Sequence, residues 1–164
     1  MEAMDNDSRK KPLHEIAHGI EYLDCVIKEG QRLNPPVAFV NRETDQAYDL
    51  NGIRIPAGTE IVIPIYALHH DPDAWEEPDT FDPERFRGPA KENHHAFQFL
   101  PFGAGPRNCI GMRFALMEIK IALVKILMKY KFVRSPETQV PLIIHPGGTL
   151  SARDGVKVRV ESLM

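Results

Sequence analysis

Apolar residues near the start of the chain recur at spacings of four, three and four, which is the period of one helix face: Ile16, Ile20, Leu23 and Ile27. Pro35-Pro36 cannot continue a helix and pushes Asn34 towards extended geometry. The spacing therefore predicts a helix that ends near Leu33. The short apolar run from Val37 to Val40 then predicts a strand.

The next segments carry strand and turn signals. Ala47 to Leu50 and Ile53 to Ile55 flank Asn51-Gly52, which accepts positive φ at both central positions of a turn, so these residues predict a two-residue hairpin. Thr59 to Ile65 alternates, is β-branched and predicts a further strand. From Asp71 to Arg107 X-Pro pairs repeatedly interrupt the chain, and an irregular stretch this long favours a functional loop.

A helical pattern returns after Cys109. Phe114, Met117, Ile121, Val124 and Met128 form one stripe, while other apolar residues lie on the remaining faces, which predicts a helix buried on most sides. The end of the chain predicts strands at Lys131–Val133 and Val156–Val160, with a turn at Gly147-Gly148 between them. The predicted fold class is mainly α with small β-sheets (α+β).

Composition limits the function classes. The chain has 164 residues, which corresponds to about one domain, and its 23 acidic and 20 basic residues give a net charge of −3. This balance argues against a nucleic-acid partner. The longest stretch without charge, Thr138 to Ala152, contains prolines and glycines and is too short for a membrane span, and Met1 to Lys11 is too polar for a secretory signal. Two cysteines, Cys25 and Cys109, make no disulfide framework and favour a reduced compartment.

The segment from Phe102 to Gly111 carries the chemistry. A cysteine at the start of a helix, here Cys109, lies near unpaired N–H groups and the positive end of the dipole, and both favour the thiolate. Arg107 offers a planar guanidinium suited to a carboxylate. Three glycines allow close approach to a flat ligand: Gly103, Gly105 and Gly111. A thiolate, a glycine loop and an arginine together suit iron protoporphyrin.

Other interpretations of Cys109 are a buried inert cysteine, a redox thiol and a zinc ligand. Zinc would need three more ligands. The nearby histidine pairs, His69-His70 and His94-His95, lack metal-finger spacing and are expected in surface loops. Cys25, near the apolar face of the first helix, is expected to be a small core residue.

Three motifs carry a resemblance to a known family. Phe102 to Gly111 resembles the cysteine-loop signature of the cytochrome P450 family, with Phe, Gly, Arg, Cys and Gly in register. Glu29-Gly30-Gln31-Arg32 is similar to its Glu-x-x-Arg helix motif, although an i,i+3 ion pair is common on any helix. Pro83-Glu84-Arg85-Phe86 is similar to its proline-rich meander. The sequence around Cys109 and the segment from Tyr66 to Pro72 most resemble the animal microsomal branch of the family. This branch includes broad-specificity drug and steroid oxidases and thromboxane synthase.

The resemblance implies a role for each matching residue. Cys109 would be the axial thiolate ligand of haem iron, Arg107 a propionate ligand and Phe102 a residue packed beside the sulfur. Arg42, by its position after the first strand, would be a second propionate ligand. The resemblance also implies a structural triad that locks the loop beneath the haem: Glu29, Arg32 and Arg85. Substrate contacts are expected near two segments: Val37 to Val40 and Gly148 to Leu150.

The resemblance runs from Tyr22 to about Leu163, so residues 1–21 are interpreted as a polar N-terminal segment with the helix start and residues 22–164 as the C-terminal haem-binding part of the family fold. A complete member is much longer, with a membrane anchor and a central helix not found here. The implied function is a haem-thiolate monooxygenase that uses O2, a lipophilic substrate and an NADPH-dependent flavoprotein reductase at the endoplasmic reticulum membrane. The alternatives are a truncated, non-catalytic haem-binding or interaction fragment, and a thiol redox protein that uses Cys109.

Overall fold

A long irregular stretch separates the last helix from the helices and strands that come before it. The structure, a computed structural model, describes residues 12–145 and 149–163, with only the backbone at 91–93. The α-helices are α1 (Leu13–His18), α2 (Glu21–Leu33), α3 (Ile65–His69) and α4 (Met112–Leu127). Between α3 and α4 the chain forms three 3₁₀ turns: Pro83–Phe86, Gly88–Asn93 and Gly105–Arg107. The irregular stretch predicted from Asp71 to Arg107 is confirmed.

The described strands form four antiparallel pairs of two strands each. The strands pair as β1 with β4, β2 with β3, β5 with β8 and β6 with β7. Their bounds are β1 (Val40–Glu43), β2 (Tyr48–Leu50), β3 (Ile53–Ile55), β4 (Glu60–Ile63), β5 (Tyr130–Val133), β6 (Ile144–His145), β7 (Ser151–Ala152) and β8 (Arg159–Ser162). Helices with small antiparallel sheets confirm the predicted fold class. The turn expected at Gly147-Gly148 lies outside the described residues.

The hairpin at Asn51-Gly52 is confirmed. Asn51 has φ 52° and Gly52 has φ 86°, so both central residues are in the left-handed region that a two-residue turn requires. The Asp49 carboxylate accepts a hydrogen bond from the Gly52 N–H at 2.9 Å. These local interactions set the β2–β3 register, in which Leu50 faces Ile53.

The single N-terminal helix that the apolar spacing predicts is wrong, because the chain breaks between α1 and α2. The Gly19 N–H closes α1 on the carbonyls of Glu15 and Ile16, both at 3.1 Å. Ile20 then turns extended, with φ −89° and ψ 92°, before α2 begins. Apolar spacing alone cannot reveal so short an interruption. The predicted end of the helix at Leu33 is confirmed.

Three strand boundaries differ from those predicted. Β-structure begins at Val40 and not at Val37, because the Pro36 and Ala38 carbonyls accept hydrogen bonds from Leu150 and Tyr66 and not from a strand partner. Strand β4 ends at Ile63 because Pro64, the next residue, has no N–H for a ladder. The last strand, predicted at Val156–Val160, runs from Arg159 to Ser162, where it pairs with β5. Helix α3, directly after Pro64, was not predicted.

Two apolar clusters lie on opposite sides of α2. The first joins Leu23 and Ile27 of α2 to Ala17 of α1 and Val124 of α4. The second joins Cys25 to Trp75 and Phe86 of the irregular stretch. Cys25 is 2% exposed, and its Sγ donates to the Phe86 carbonyl at 3.4 Å. Helix α2 therefore links the α4 side of the chain to the irregular stretch.

Helix α4 is not buried on most sides, contrary to the prediction. Its buried residues are Lys120 and Val124, because the described elements that contact it pack on one side. Phe114 is 74% exposed, and other apolar residues of its stripe are also exposed. Within the described ranges, no helix has both the length and the apolar character that a membrane span requires.

Candidate functional site

A buried ion pair occupies the second half of α2. Glu29 and Arg32 are both 0% exposed. They lie three residues apart on the helix and form two parallel hydrogen bonds, from Arg32 Nε to Glu29 Oε2 at 2.9 Å and from Arg32 Nη2 to Glu29 Oε1 at 2.8 Å. This bidentate geometry is the strongest form of such a pair. The pair is therefore unlike an ordinary solvent-exposed i,i+3 pair, which contributes only a few tenths of a kcal/mol.

Arg32 uses all five of its N–H donors. Besides the two bonds to Glu29, Nη1 donates to the carbonyls of His69 at 2.8 Å and Pro78 at 2.7 Å, and Nη2 donates to the Thr80 carbonyl at 3.2 Å. The guanidinium also lies 5.2 Å from the centre of the Trp75 ring. A buried charge is tolerated only when it is paired and hydrogen-bonded, and Arg32 meets both conditions.

The meander brings further groups to Glu29. Its Oε1 accepts the Asp82 N–H at 3.0 Å and lies 3.5 Å from Arg85 Nε, although that nitrogen makes no hydrogen bond among the described atoms. Arg85 is anchored instead through Nη2, which donates to the Glu77 carbonyl at 3.1 Å. The structure therefore brings together Glu29, Arg32 and Arg85, the three residues expected to form the triad.

His69, expected in a surface loop, is fully buried. It ends α3, where its carbonyl accepts from Arg32 and its Nε2 accepts the Leu100 N–H at 2.8 Å. The ring also packs against Phe99, with centroids 5.2 Å apart. Burial lowers the pKa of His69 from its ordinary value of 6.5 to about 4. Sequence reasoning missed this residue because its partners, Arg32 and Leu100, are distant in the chain.

An aromatic cluster fills the space beneath the meander. Trp75 is 1% exposed, and its indole N–H donates to the Leu68 carbonyl at 3.0 Å. His94, also expected at the surface, is half-buried because its ring packs 4.4 Å from Trp75 and its Nε2 lies 3.1 Å from the Arg85 carbonyl. Phe86 and Phe99 complete the cluster, with ring centroids 4.8 Å apart.

The cysteine loop is closed by backbone hydrogen bonds. The Cys109 N–H donates to the Phe102 carbonyl at 2.9 Å, and the Gly103 N–H donates to the Leu100 carbonyl at 3.1 Å. Cys109 is exposed and precedes α4, whose first residue, Met112, donates to the Cys109 carbonyl at 3.3 Å. The helix expected after Cys109 is therefore present, and Cys109 lies two residues before Gly111, the residue that caps α4.

The other expected ligand residues of the loop differ in their surroundings. The Arg107 side chain is exposed and Phe102 is half-buried. Gly103 and Gly105 have φ 71° and 74°, which other residues rarely adopt. Gly111 has an ordinary φ, and a Cβ there would lie 3.8 Å from Cys109 Sγ, in normal contact. An exposed thiol and an exposed guanidinium on one loop are a donor set that fits haem iron and a haem propionate.

Arg42 is not joined to this loop. Its Nη1 donates to the neighbouring Asn41 carbonyl at 2.7 Å, and no ion pair or hydrogen bond links it to the loop within residues 12–145 and 149–163. The two segments expected to contact substrate do meet. The Leu150 N–H donates to the Pro36 carbonyl at 2.7 Å, beside the start of the first segment, whereas Gly148 lies outside the described residues.

The zinc interpretation and the buried inert cysteine interpretation of Cys109 find no support in the geometry. In the part of the chain that the structure describes, no three histidine, cysteine or acidic side chains are close enough to hold a metal ion together. Both cysteines are free, and Cys25 is buried in the aromatic cluster whereas Cys109 is exposed. The structure shows Cys109 as an exposed thiol on the same loop as the exposed Arg107 side chain.

Comparison with known proteins gives the family to which the chain belongs. Residues 2–160 match the family described as cytochrome P450. The chain therefore belongs to the cytochrome P450 family, and its relatives are those of the animal microsomal branch. The family is one of haem-dependent monooxygenases.

Three relatives illustrate the similarity. The chain is 45% identical to thromboxane-A synthase of Mus musculus over 149 residues, which cover 91% of this chain and 28% of that protein. It is 44% identical to thromboxane-A synthase of Sus scrofa, over 96% of this chain and 30% of the relative. It is 47% identical to cytochrome P450 3A6 of Oryctolagus cuniculus, over 87% and 28%. The chain spans less than a third of the length of these relatives.

Glu29→Gln should lower the free energy of unfolding by about 3–5 kcal/mol, because it leaves the Arg32 guanidinium buried without a counter-charge. Glu84→Gln is the matched control. Glu84 also pairs with an arginine three residues later, but both side chains are more than half exposed, so the cost should be about 0.5 kcal/mol or less. Urea titration followed by circular dichroism measures both changes. Equal losses in the free energy of unfolding would contradict the larger contribution expected of the buried Glu29–Arg32 pair.

Acidification should destabilise the folded chain through His69. Its pKa is about 4 when folded and near 6.5 when unfolded, so the unfolded chain binds the extra proton between these values. This contribution is complete above pH 6.5 and is lost as the pH falls towards 4, by up to about 3 kcal/mol. The measurement compares urea midpoints of the wild type and His69→Gln across this range. Parallel pH profiles would show that His69 does not titrate in this way.

Proposed function

We propose that this chain forms the haem-ligating part of a cytochrome P450 monooxygenase, in which the Cys109 thiolate would bind the haem iron. The observation that carries the proposal is the exposed Cys109 thiol at the end of a loop closed by the Phe102–Cys109 hydrogen bond. The matching family motif surrounds this residue, and the family match covers nearly the whole chain.

The residues of this chain would hold and orient the cofactor. Cys109 Sγ would coordinate the iron, and the Arg107 guanidinium would fix a propionate by charge-assisted hydrogen bonds. Phe102 would limit the access of water to the sulfur from the same loop. Haem held by a cysteine thiolate supplies activation of O2, since electron donation from sulfur favours O–O cleavage.

The buried network would keep this loop in one geometry. The triad residues Glu29, Arg32 and Arg85 connect α2 to the meander that precedes the loop. Arg42 would hold the second propionate by its position after the first strand; its present hydrogen bond to a neighbouring carbonyl is one that an exposed side chain can exchange. Gly103, Gly105 and Gly111 would allow the loop to approach the flat ligand.

The relatives support a proposal for the substrate class and the redox partner. Their names, thromboxane-A synthase and cytochromes P450 3A, support a lipophilic organic substrate, and the family uses O2 and a reductase. We infer that electrons come from an NADPH-dependent flavoprotein reductase at the endoplasmic reticulum membrane. Substrate contacts are proposed near Val37 to Val40 and Gly148 to Leu150, supported by the Leu150–Pro36 hydrogen bond between the two regions.

A second candidate function is a non-catalytic haem-binding or interaction fragment. The exposed apolar side chains Ile110 and Phe114, beside Cys109, favour it because such a surface associates readily. Turnover of a lipophilic substrate with reductase and NADPH separates the two candidates. A haem complex without turnover would support the fragment.

Cys109→Ala should abolish the thiolate spectrum. The chain is reconstituted with haemin, reduced and exposed to carbon monoxide, and a strongly red-shifted absorption band reports sulfur ligation. Cys25→Ala removes the same atoms at a buried site and should keep the band, although it lowers stability. An alanine variant at 109 that retains the band would refute the ligand assignment.

Arg107→Ala should weaken haem retention more than Arg113→Ala does. Loss of a charge-assisted hydrogen bond to a propionate costs about 1.5–3 kcal/mol, which corresponds to about tenfold or more in the dissociation rate. Arg113 is also exposed and lies one residue into α4, so it controls for loss of positive charge. Haem transfer to an excess of acceptor apoprotein measures both rates, and equal rates would remove Arg107 from the propionate role.

A further inference from the structure

The His69 imidazole is a fully buried titratable group that the proposed chemistry does not use. Its Nε2 accepts the Leu100 N–H at 2.8 Å, so the ring is neutral and its proton lies on Nδ1. Nδ1 makes no hydrogen bond of ordinary distance and angle among the described atoms, although backbone groups of Arg32 and Gln31 lie close enough to oppose part of the lowering of the His69 pKa. The bond from the Leu100 N–H is therefore the well-formed hydrogen bond of this ring.

The hydrogen bond from the Leu100 N–H to His69 Nε2 connects the buried Glu29–Arg32 network to the Cys109 loop. Arg32 Nη1 donates to the His69 carbonyl, and the same residue then accepts the Leu100 N–H through its ring. Leu100 in turn accepts the Gly103 N–H, and Phe102 accepts the Cys109 N–H. The steps from Arg32 to the cysteine therefore form one series of hydrogen bonds and short chain segments.

We propose that His69 is a positioning residue that fixes the base of the Cys109 loop by holding the backbone of Leu100. Leu100 is 7% exposed, so its N–H has little access to water as a substitute partner. The residue that supplies the acceptor is 31 positions away in the chain and is itself held by Arg32. The backbone at the start of the loop, at Leu100, is thereby fixed to the buried network through His69.

A carboxylate could also accept the Leu100 N–H, but it would bring a net charge into this buried site. The neutral imidazole supplies an acceptor without one, and its flat ring packs against Phe99 at 5.2 Å. His70, the adjacent residue, provides the contrast. Its Nδ1 contacts the Tyr66 carbonyl at 2.9 Å within its own helix, so it makes no link to the loop.

The role for haem rests on the proposed function, whereas the role for the loop does not. The first experiment therefore uses the full chain without haem. Amide hydrogen exchange of Leu100 is measured in the wild type, His69→Leu, His69→Gln and His70→Leu, under conditions where all are folded by circular dichroism. Leucine removes the acceptor, and glutamine places an oxygen near the position of Nε2.

We expect Leu100 to exchange at least about tenfold faster in His69→Leu, while the amides of α2 and α4 change less than about threefold. His69→Gln should restore slow exchange, and His70→Leu should match the wild type. Unchanged exchange at Leu100, or an equal acceleration in α2 and α4, would overturn the proposal. Nitrogen NMR of the wild type gives a check that needs no variant, since a proton on Nε2 at neutral pH would also overturn it.

The second experiment loads the same variants with haem. The fraction of the reduced carbon monoxide complex with the red-shifted thiolate band should fall in His69→Leu and recover in His69→Gln. If no variant or wild-type sample forms that band, the proposed function fails while the exchange result stands. If the band forms equally in all four proteins, His69 does not position the ligand.

Discussion

The buried pair of Glu29 and Arg32 is the interaction on which the rest of the structure depends. Removing two charges from water is expensive, and only complete pairing compensates for it. The required carbonyls belong to His69, the last residue of α3, and to Pro78 and Thr80 of the irregular stretch. Because these carbonyls must converge on one guanidinium, the pair favours a single backbone course for the irregular stretch. Across its described residues, that stretch has no strand pairing or α-helix to fix its course. Lysine, with a compact ammonium and three donors, could not hold the same set.

The pair also explains how α2 serves two purposes. One side of the helix buries Leu23 and Ile27 against α1 and α4, which is ordinary apolar packing. The other side presents Glu29, Arg32 and Cys25 to the meander. The polar network gives direction where apolar packing alone would tolerate many arrangements, since hydrogen bonds have a fixed geometry and apolar burial does not.

What the sequence predicted depends on how local each signal is. The Asn51-Gly52 turn, the end of α2 before the prolines and the irregular stretch after α3 all follow from neighbouring residues. The three motifs could be recognised by resemblance because their residues are closely spaced, whereas the carbonyls that surround Arg32 come from 37 to 48 residues away. The break at Gly19 and the burial of His69 were missed, since the first is a small change within a continuous period and the second depends on partners more than thirty residues away.

The residues that would support the loop differ in exposure from the residues that would bind the cofactor. Glu29, Arg32 and His69 are fully buried and Arg85 is largely buried, whereas Cys109 and Arg107 are exposed on the loop. A ligand residue must be accessible to its cofactor, yet it must not move when the cofactor binds, because misplacement by a fraction of an ångström weakens a site. An exposed loop of glycines cannot supply that rigidity itself. Under the proposed function, the Glu29 carboxylate, the Arg32 guanidinium and the His69 imidazole would supply that rigidity through buried hydrogen bonds.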